Sequence, residues 1–241
     1  MGSEMCIRDR LFTYYDRFSP LINILPEIDE ESIEQKGPIR YIEGTFPKTL
    51  VAQTIDDIIL KLLEVARSNP SRFSFLYYYQ VFEYAGYYYI NDATKRSLRN
   101  FLKDPALINC GEDKVSELFS LFSDLGHNDD VKMRKVIEDK CDAKLLWKEI
   151  KHDLQFFAAS HEFEGGFIAL PLIADDTTEA TWCTMWTPKL FDHLTKIRNS
   201  LVHARERREN KVILPTRKNN QILRGYLPII RRMAEQIALR T

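Results

Sequence analysis

Apolar residues recur along most of this chain at the three- and four-residue spacing of helices, and breaks in that rhythm divide it into segments. From Thr49 onward, Ile55, Ile58, Ile59, Leu62, Leu63 and Ala66 predict a helix. Asp56 and Asp57 fall in its first turn, where the helix dipole favours negative charge. Phe73 to Ile90 (FSFLYYYQVFEYAGYYYI) is apolar and aromatic on nearly every side. Pro70 and Ser71 suit its start and Asn91 and Asp92 its end, and a helix of this kind belongs at the centre of a bundle. Rings at continuous helical spacing read as packing rather than as a base-stacking platform. Glu83, set among those rings, must find a partner or neutralise, and an Arg or a Tyr hydroxyl is expected beside it.

Further helices are predicted at 93–104, 114–125 and 129–158, the last broken near Cys141 and Asp142. Residues 161–187, with Gly165, Gly166, Pro171 and the stretch FIALPLI, read as a loop with a short hairpin that carries Trp182 and Trp186, a candidate insertion or lid. Thr187 and Pro188 form a helix-start pair and open a helix that is expected to run to Arg208. A turn around Pro215 and Asn219 to Asn220 leads to a final helix from about Tyr226 to Arg240. Upstream, residues 11–48 combine Pro20, Pro26, Pro38 and Pro47 with the acidic run Glu27 to Glu34 and read as an irregular arm with one or two short strands. The expected fold is mostly α: an antiparallel helical bundle over 49–241, an irregular N-terminal arm at 11–48, and a short hairpin-like insertion before the helix that Pro188 opens.

Composition agrees with a folded helical protein. Hydrophobic residues make up 44% and charged residues 29% of 241 positions, and nine Gly with ten Pro are too few for the turns of an all-β chain. Cys6, Cys110, Cys141 and Cys183 are scattered without metal-ligand spacing, which suits a reducing, cytoplasmic compartment. No apolar run reaches the roughly 18 residues of a membrane span, and no signal peptide opens the chain. Met1 to Arg10 (MGSEMCIRDR) reads as a non-native or disordered segment, because MCIRDR resembles translated adapter sequence; the true start of the gene would then be missing, which leaves room for an upstream domain. Charge is unevenly placed. Residues 188–241 hold thirteen Lys or Arg against four Asp or Glu, while residues 1–187 hold 21 against 31. A basic C-terminal part on an acidic body suits a polyanionic partner.

On a wheel of 100 degrees per residue with Ile197 at zero, Leu190, Leu194 and Leu201 lie within about 60 degrees of it and form a core stripe. Asp192, Asn199 and His203 fall at roughly 200 to 240 degrees, so His203 points away from the core with Asn199 one turn before it. The hexapeptide Arg198-Asn199-Ser200-Leu201-Val202-His203 resembles the Arg-polar-x-x-x-His signature of the HEPN superfamily, in its short form with Asn. That resemblance implies an endoribonuclease that needs no metal and no cofactor, found among toxins of toxin–antitoxin pairs and defence proteins.

In such an enzyme the RNA 2'-hydroxyl attacks the adjacent phosphate. His203 would move a proton, Arg198 would hold the phosphate, and Asn199 would orient one of them. Positions 198 and 203 lie about 140 degrees apart on a regular helix, so a composite site in a homodimer is expected, as the family forms. RNA is the implied partner, with an antitoxin or defence-system protein as a further one. Arg205, Arg207, Arg208, Lys211, Arg217 and Lys218 either grip the RNA backbone or form a plain solvated face.

Two other readings stand beside this one: a non-catalytic RNA-binding or protein-assembly module, and a regulatory domain whose missing part carries the function. His161, Glu162, Glu164, Asp175 and Asp176 follow no metal-ligand spacing and read as a solvated acidic loop. His127, His152 and His193 read as isolated surface or capping residues. Phosphate-loop, serine-hydrolase and zinc-protease patterns do not occur.

Overall fold

Local sequence decides where the first helices start. In the computed structural model, which describes residues 55–89, 92–105, 114–116, 118–120, 129–203 and 211–240, helix α1 spans Asp57–Ser68. The Asp56 carboxylate caps it, accepting from the backbone N–H groups of Ile58 and Ile59 at 2.8 and 3.4 Å. Its buried side is Ile59, Leu63 and Ala66. The aromatic helix α2, Ser71–Tyr87, begins after Pro70 and stops short of the expected Ile90, leaving Tyr87 and Tyr88 exposed. Phe75, Tyr78, Tyr79, Val81, Phe82 and Ala85 are buried around much of its circumference.

Helix α3 spans Asp92–Leu102, and residues 114–116 and 118–120 are helical. The expected 129–158 helix is three: α4 (Asp129–Lys140), α5 (Ala143–His152) and the short α6 (Leu154–Ala158). The break near Cys141 falls where the sequence suggested it, because Asp142 caps α5 through the N–H groups of Lys144 and Leu145. Strands β1 (His161–Glu162) and β2 (Ile168–Ala169) pair antiparallel, with His161 opposite Ala169. Their loop holds Gly165 and Gly166 at φ of 112° and 86°, and a Cβ on Gly165 would lie 2.3 Å from the Val212 carbonyl oxygen.

Two long helices complete the fold, α7 (Glu179–Val202) and α8 (Arg217–Arg240), and both differ from expectation at their starts. Thr178, not Thr187, caps α7, and Pro188 lies inside it. Trp182 and Trp186 are thus helical core residues rather than loop residues, extending the apolar stripe back from Leu190. An interior Pro costs about 3 kcal/mol. Burying two indoles at roughly 25 cal/mol per Å² over 150–250 Å² each outweighs it. Trp182 also donates from Nε1 to the Ala143 carbonyl at 3.1 Å. At its other end α7 stops at Val202 instead of Arg208.

Helix α8 starts at Arg217 rather than Tyr226, so Asn219 and Asn220 are helical, not a turn. Thr216 caps it through the Asn219 N–H. The side chain of Asn219 is fully buried and accepts from the Glu164 N–H while donating to the carbonyls of Glu164 and Leu214. Tertiary bonding to the hairpin has overridden the usual turn preference of Asn.

Helix α2 packs against α1, α4, α7 and α8, which makes it the centre of the bundle as its composition predicts. The described residues are mostly helical and fall within the compact unit Pro47–Thr241. The arm expected at 11–48 and the segment Met1 to Arg10 lie outside them. Among the described residues no helix is long and apolar enough to cross a membrane. The hairpin is a fixed part of the body: Phe163, Phe167, Leu172 and Ile173 are buried, and the N–H groups of Leu172 and Ile173 both donate to Phe157 O.

Candidate functional site

The polar face of α7 meets α2 in a seam of paired side chains. Arg198 donates from Nη2 to Glu83 Oε1 at 2.5 Å and from Nη1 to Asn199 Oδ1 at 3.1 Å. The guanidinium also lies over the Tyr79 ring, 5.6 Å from its centroid. Tyr79 is one turn before Glu83 on α2, and its hydroxyl is hydrogen-bonded to Thr195 Oγ1 at 2.9 Å, one turn before Asn199 on α7. Burial pushes the Tyr79 phenol up, so it stays protonated. Further along α7, Asp192 pairs with Arg134 of α4, whose guanidinium lies 5.0 Å from the Phe191 ring centroid.

Glu83 is the carboxylate the sequence left needing a partner, and Arg198 is that partner. The pair is not sealed away: the side chains keep 27% and 35% of their exposure. At such exposure an ion pair contributes about 0–1 kcal/mol, too little to explain the arrangement as a stabilising device alone. Only part of the Arg198 donor fork is used: Nη1 and Nη2 each make one hydrogen bond, and no further acceptor meets the guanidinium among the described residues.

The end of α7 is held from several sides. Arg72, in the first turn of α2, donates from Nη2 to Leu201 O at 2.6 Å and from Nη1 to Ile213 O at 2.7 Å. The Ile213 N–H donates to Ser200 O, and the His203 N–H to Asn199 O at 2.9 Å. The carbonyls of Asn199, Ser200 and Leu201 in the last turn of α7 are thereby satisfied. Burial lowers the Arg72 pKa from its usual value, yet two carbonyl acceptors suit the cation. His203 is the C-cap residue at φ −93° and ψ 120°. It is exposed, and its ring makes no hydrogen bond among the described residues.

The structure thus joins the side chains of Arg198 and Asn199 directly and places His203 one turn beyond Asn199 at a fixed helix end, bonded to Asn199 through its backbone N–H. Lys211 is exposed, as are Arg217 and Lys218 in the first turn of α8, where the helix dipole disfavours cations. Arg205, Arg207 and Arg208 lie outside the described residues. Sequence reading did not single out Tyr79, Thr195 or Arg72 for the site. The solitary carboxylate in an aromatic helix was the signal for the α2 side of the seam, and Arg72 carried none.

His193 is half-buried rather than exposed. Its Nε2 is buried with no hydrogen-bond partner among the described residues, its ring lies 5.3 Å from that of Tyr226, and burial, then Lys196, His161 and Lys189, push its pKa down to about 4. His161 stacks on Phe156 at 4.1 Å and its Nε2 bonds Phe156 O at 2.8 Å. It is occupied in packing. No family model, curated protein or solved structure matches the chain.

Proposed function

We propose that this chain is a metal-independent endoribonuclease of the HEPN type that works as a homodimer in the cytoplasm, in phage defence, toxin–antitoxin control or a stress response. One observation carries the reading. Arg198 is held by Glu83 and Asn199, and His203, exposed at a clamped helix end, has a ring that makes no hydrogen bond among the described residues. A planar guanidinium suits a phosphate, and an exposed imidazole suits proton transfer.

In the proposed reaction the 2'-oxygen of RNA attacks phosphorus and the bond to the 5'-oxygen breaks. The 2'-hydroxyl proton passes to the neutral His203 imidazole of one copy, and the leaving 5'-oxygen takes a proton from the protonated His203 imidazolium of the other, which ends neutral. The products are a 2',3'-cyclic phosphate and a 5'-hydroxyl. Arg198 offsets the charge that grows on the phosphoryl oxygens. Two copies of the motif helix meet the geometric demand that one copy leaves open, because Arg198 and His203 diverge on a single helix.

A second reading rests on the exposed cations Arg217 and Lys218, which the α8 dipole does not favour. They suit a backbone-binding surface whether or not the site cuts, so a non-catalytic RNA-binding module is the alternative. Replacing His203 by Ala separates the two readings. Loss of cleavage with RNA binding kept supports the ribonuclease, and unchanged behaviour supports the binding module.

A further inference from the structure

We infer that Glu83 is a positioning residue for the ribonuclease: it aims the Arg198 guanidinium so that its unused donors meet the scissile phosphate. The inference rests on the ribonuclease reading and extends it to a residue outside the motif.

Glu83 lies on α2 and Arg198 on α7, so their contact at 2.5 Å is made only by the folded bundle. Three groups restrain the guanidinium from different directions. Glu83 Oε1 accepts from Nη2, Asn199 Oδ1 accepts from Nη1, and the Tyr79 ring supports one face at 5.6 Å from its centroid. A free Arg side chain samples many rotamers, and a phosphate clamp loses rate when its fork is misplaced. Restraint on one edge leaves the opposite edge pre-aimed. Tyr79 is itself fixed by Thr195 at 2.9 Å, so the seam is braced on both helices.

The chemistry also accounts for the residue type. A carboxylate beside the guanidinium works against phosphate affinity, because it adds negative charge near an anion site. It raises the rate through orientation instead. Removing it therefore has opposite effects on the two quantities: ground-state binding is kept or tightened while the chemical step slows. Gln at this position keeps an amide carbonyl that can accept from Nη2 and should retain most of the aim.

The test is single-turnover cleavage of a single-stranded RNA, together with binding of a 2'-deoxy analogue of it, for the wild type, Glu83→Ala, Glu83→Gln, Arg198→Lys and His203→Ala. Thermal melts of each variant report folding. The expected result is a fall in the cleavage rate of roughly 10²-fold in Glu83→Ala, with analogue binding unchanged or tighter. Glu83→Gln should recover most of that rate. Arg198→Lys, which keeps a cation for Glu83 but no fork, should be as slow as Glu83→Ala while melting like the wild type.

If His203→Ala abolishes cleavage yet Glu83→Ala cuts at the wild-type rate, the positioning role is overturned and the ribonuclease reading stands. If Glu83→Gln is as slow as Glu83→Ala, or Arg198→Lys cuts normally, the oriented fork is overturned. A wild type that does not cut RNA overturns the ribonuclease reading and this inference with it.

Discussion

The Arg72 guanidinium donates to the carbonyl oxygen of Leu201 at 2.6 Å, and so the first turn of one helix fastens the last turn of another. The same side chain reaches Ile213 O, which brings the segment after residues 204–210 back against the end of α7. Replacing Arg72 by Met should cost about 1–3 kcal/mol in urea unfolding, the scale of hydrogen bonds from a charged donor. Arg72→Lys should recover little, because a single ammonium cannot span two carbonyls as a planar fork does.

Asn219 ties the hairpin residue Glu164 to α8 through two hydrogen bonds at 2.8 Å and holds Leu214 O through a third at 2.9 Å, while fully buried. Asn219→Ala should destabilise by roughly 3 kcal/mol in chemical denaturation, because the polar groups of Glu164 and Leu214 lose their partner. Asn219→Asp should not restore the lost stability, since a carboxylate cannot donate to the two carbonyls.

Gly225 sits in the interior of α8, where helix propensity favours Ala by about 1 kcal/mol. A Cβ there would lie 2.3 Å from the Phe156 ring, which stacks on His161 and meets Tyr226. Gly225→Ala should therefore lower the melting temperature, with a loss of about 1–3 kcal/mol from overpacking. A variant more stable than the wild type would show that the Phe156 ring moves aside freely.

His193 makes stability depend on pH. Burial, followed by the charges of Lys196, His161 and Lys189, depresses its folded-state pKa from 6.5 to about 4. Between those values the unfolded chain takes up a proton that the folded state refuses, so stability is lost as pH falls from 6.5 towards 4 and is not lost further below it. The full drop is on the order of 3 kcal/mol. His193→Phe should flatten the curve of unfolding free energy against pH in that window. A curve of the same slope in this variant would place the pH dependence elsewhere.

Periodicity located the bundle, because α1, α2, α4 and α5 bury residues at helical spacing and start at local signals that a linear reading detects, such as Asp56 and Asp142. The misplaced starts have one cause. Pro188 and Asn219 are strong local punctuation, yet Trp182, Trp186 and the Asn219 bonds to the hairpin are long-range terms that outweigh it. The candidate site divides in the same way. Arg198, Asn199 and His203 are adjacent in sequence and legible together. Glu83 announced only that it needed a partner, and Arg72 gave no signal, because carbonyl acceptors on distant segments leave no pattern in sequence.

Incubation of the purified chain with a labelled single-stranded RNA, in chelator and against His203→Ala and Arg198→Ala, tests the central claim most directly. The account predicts fragments ending in a 2',3'-cyclic phosphate from the wild type, and loss of nearly all cleavage in both variants with melting temperatures unchanged. Intact RNA with the wild type, or the same fragments at the same rate from His203→Ala, would contradict it.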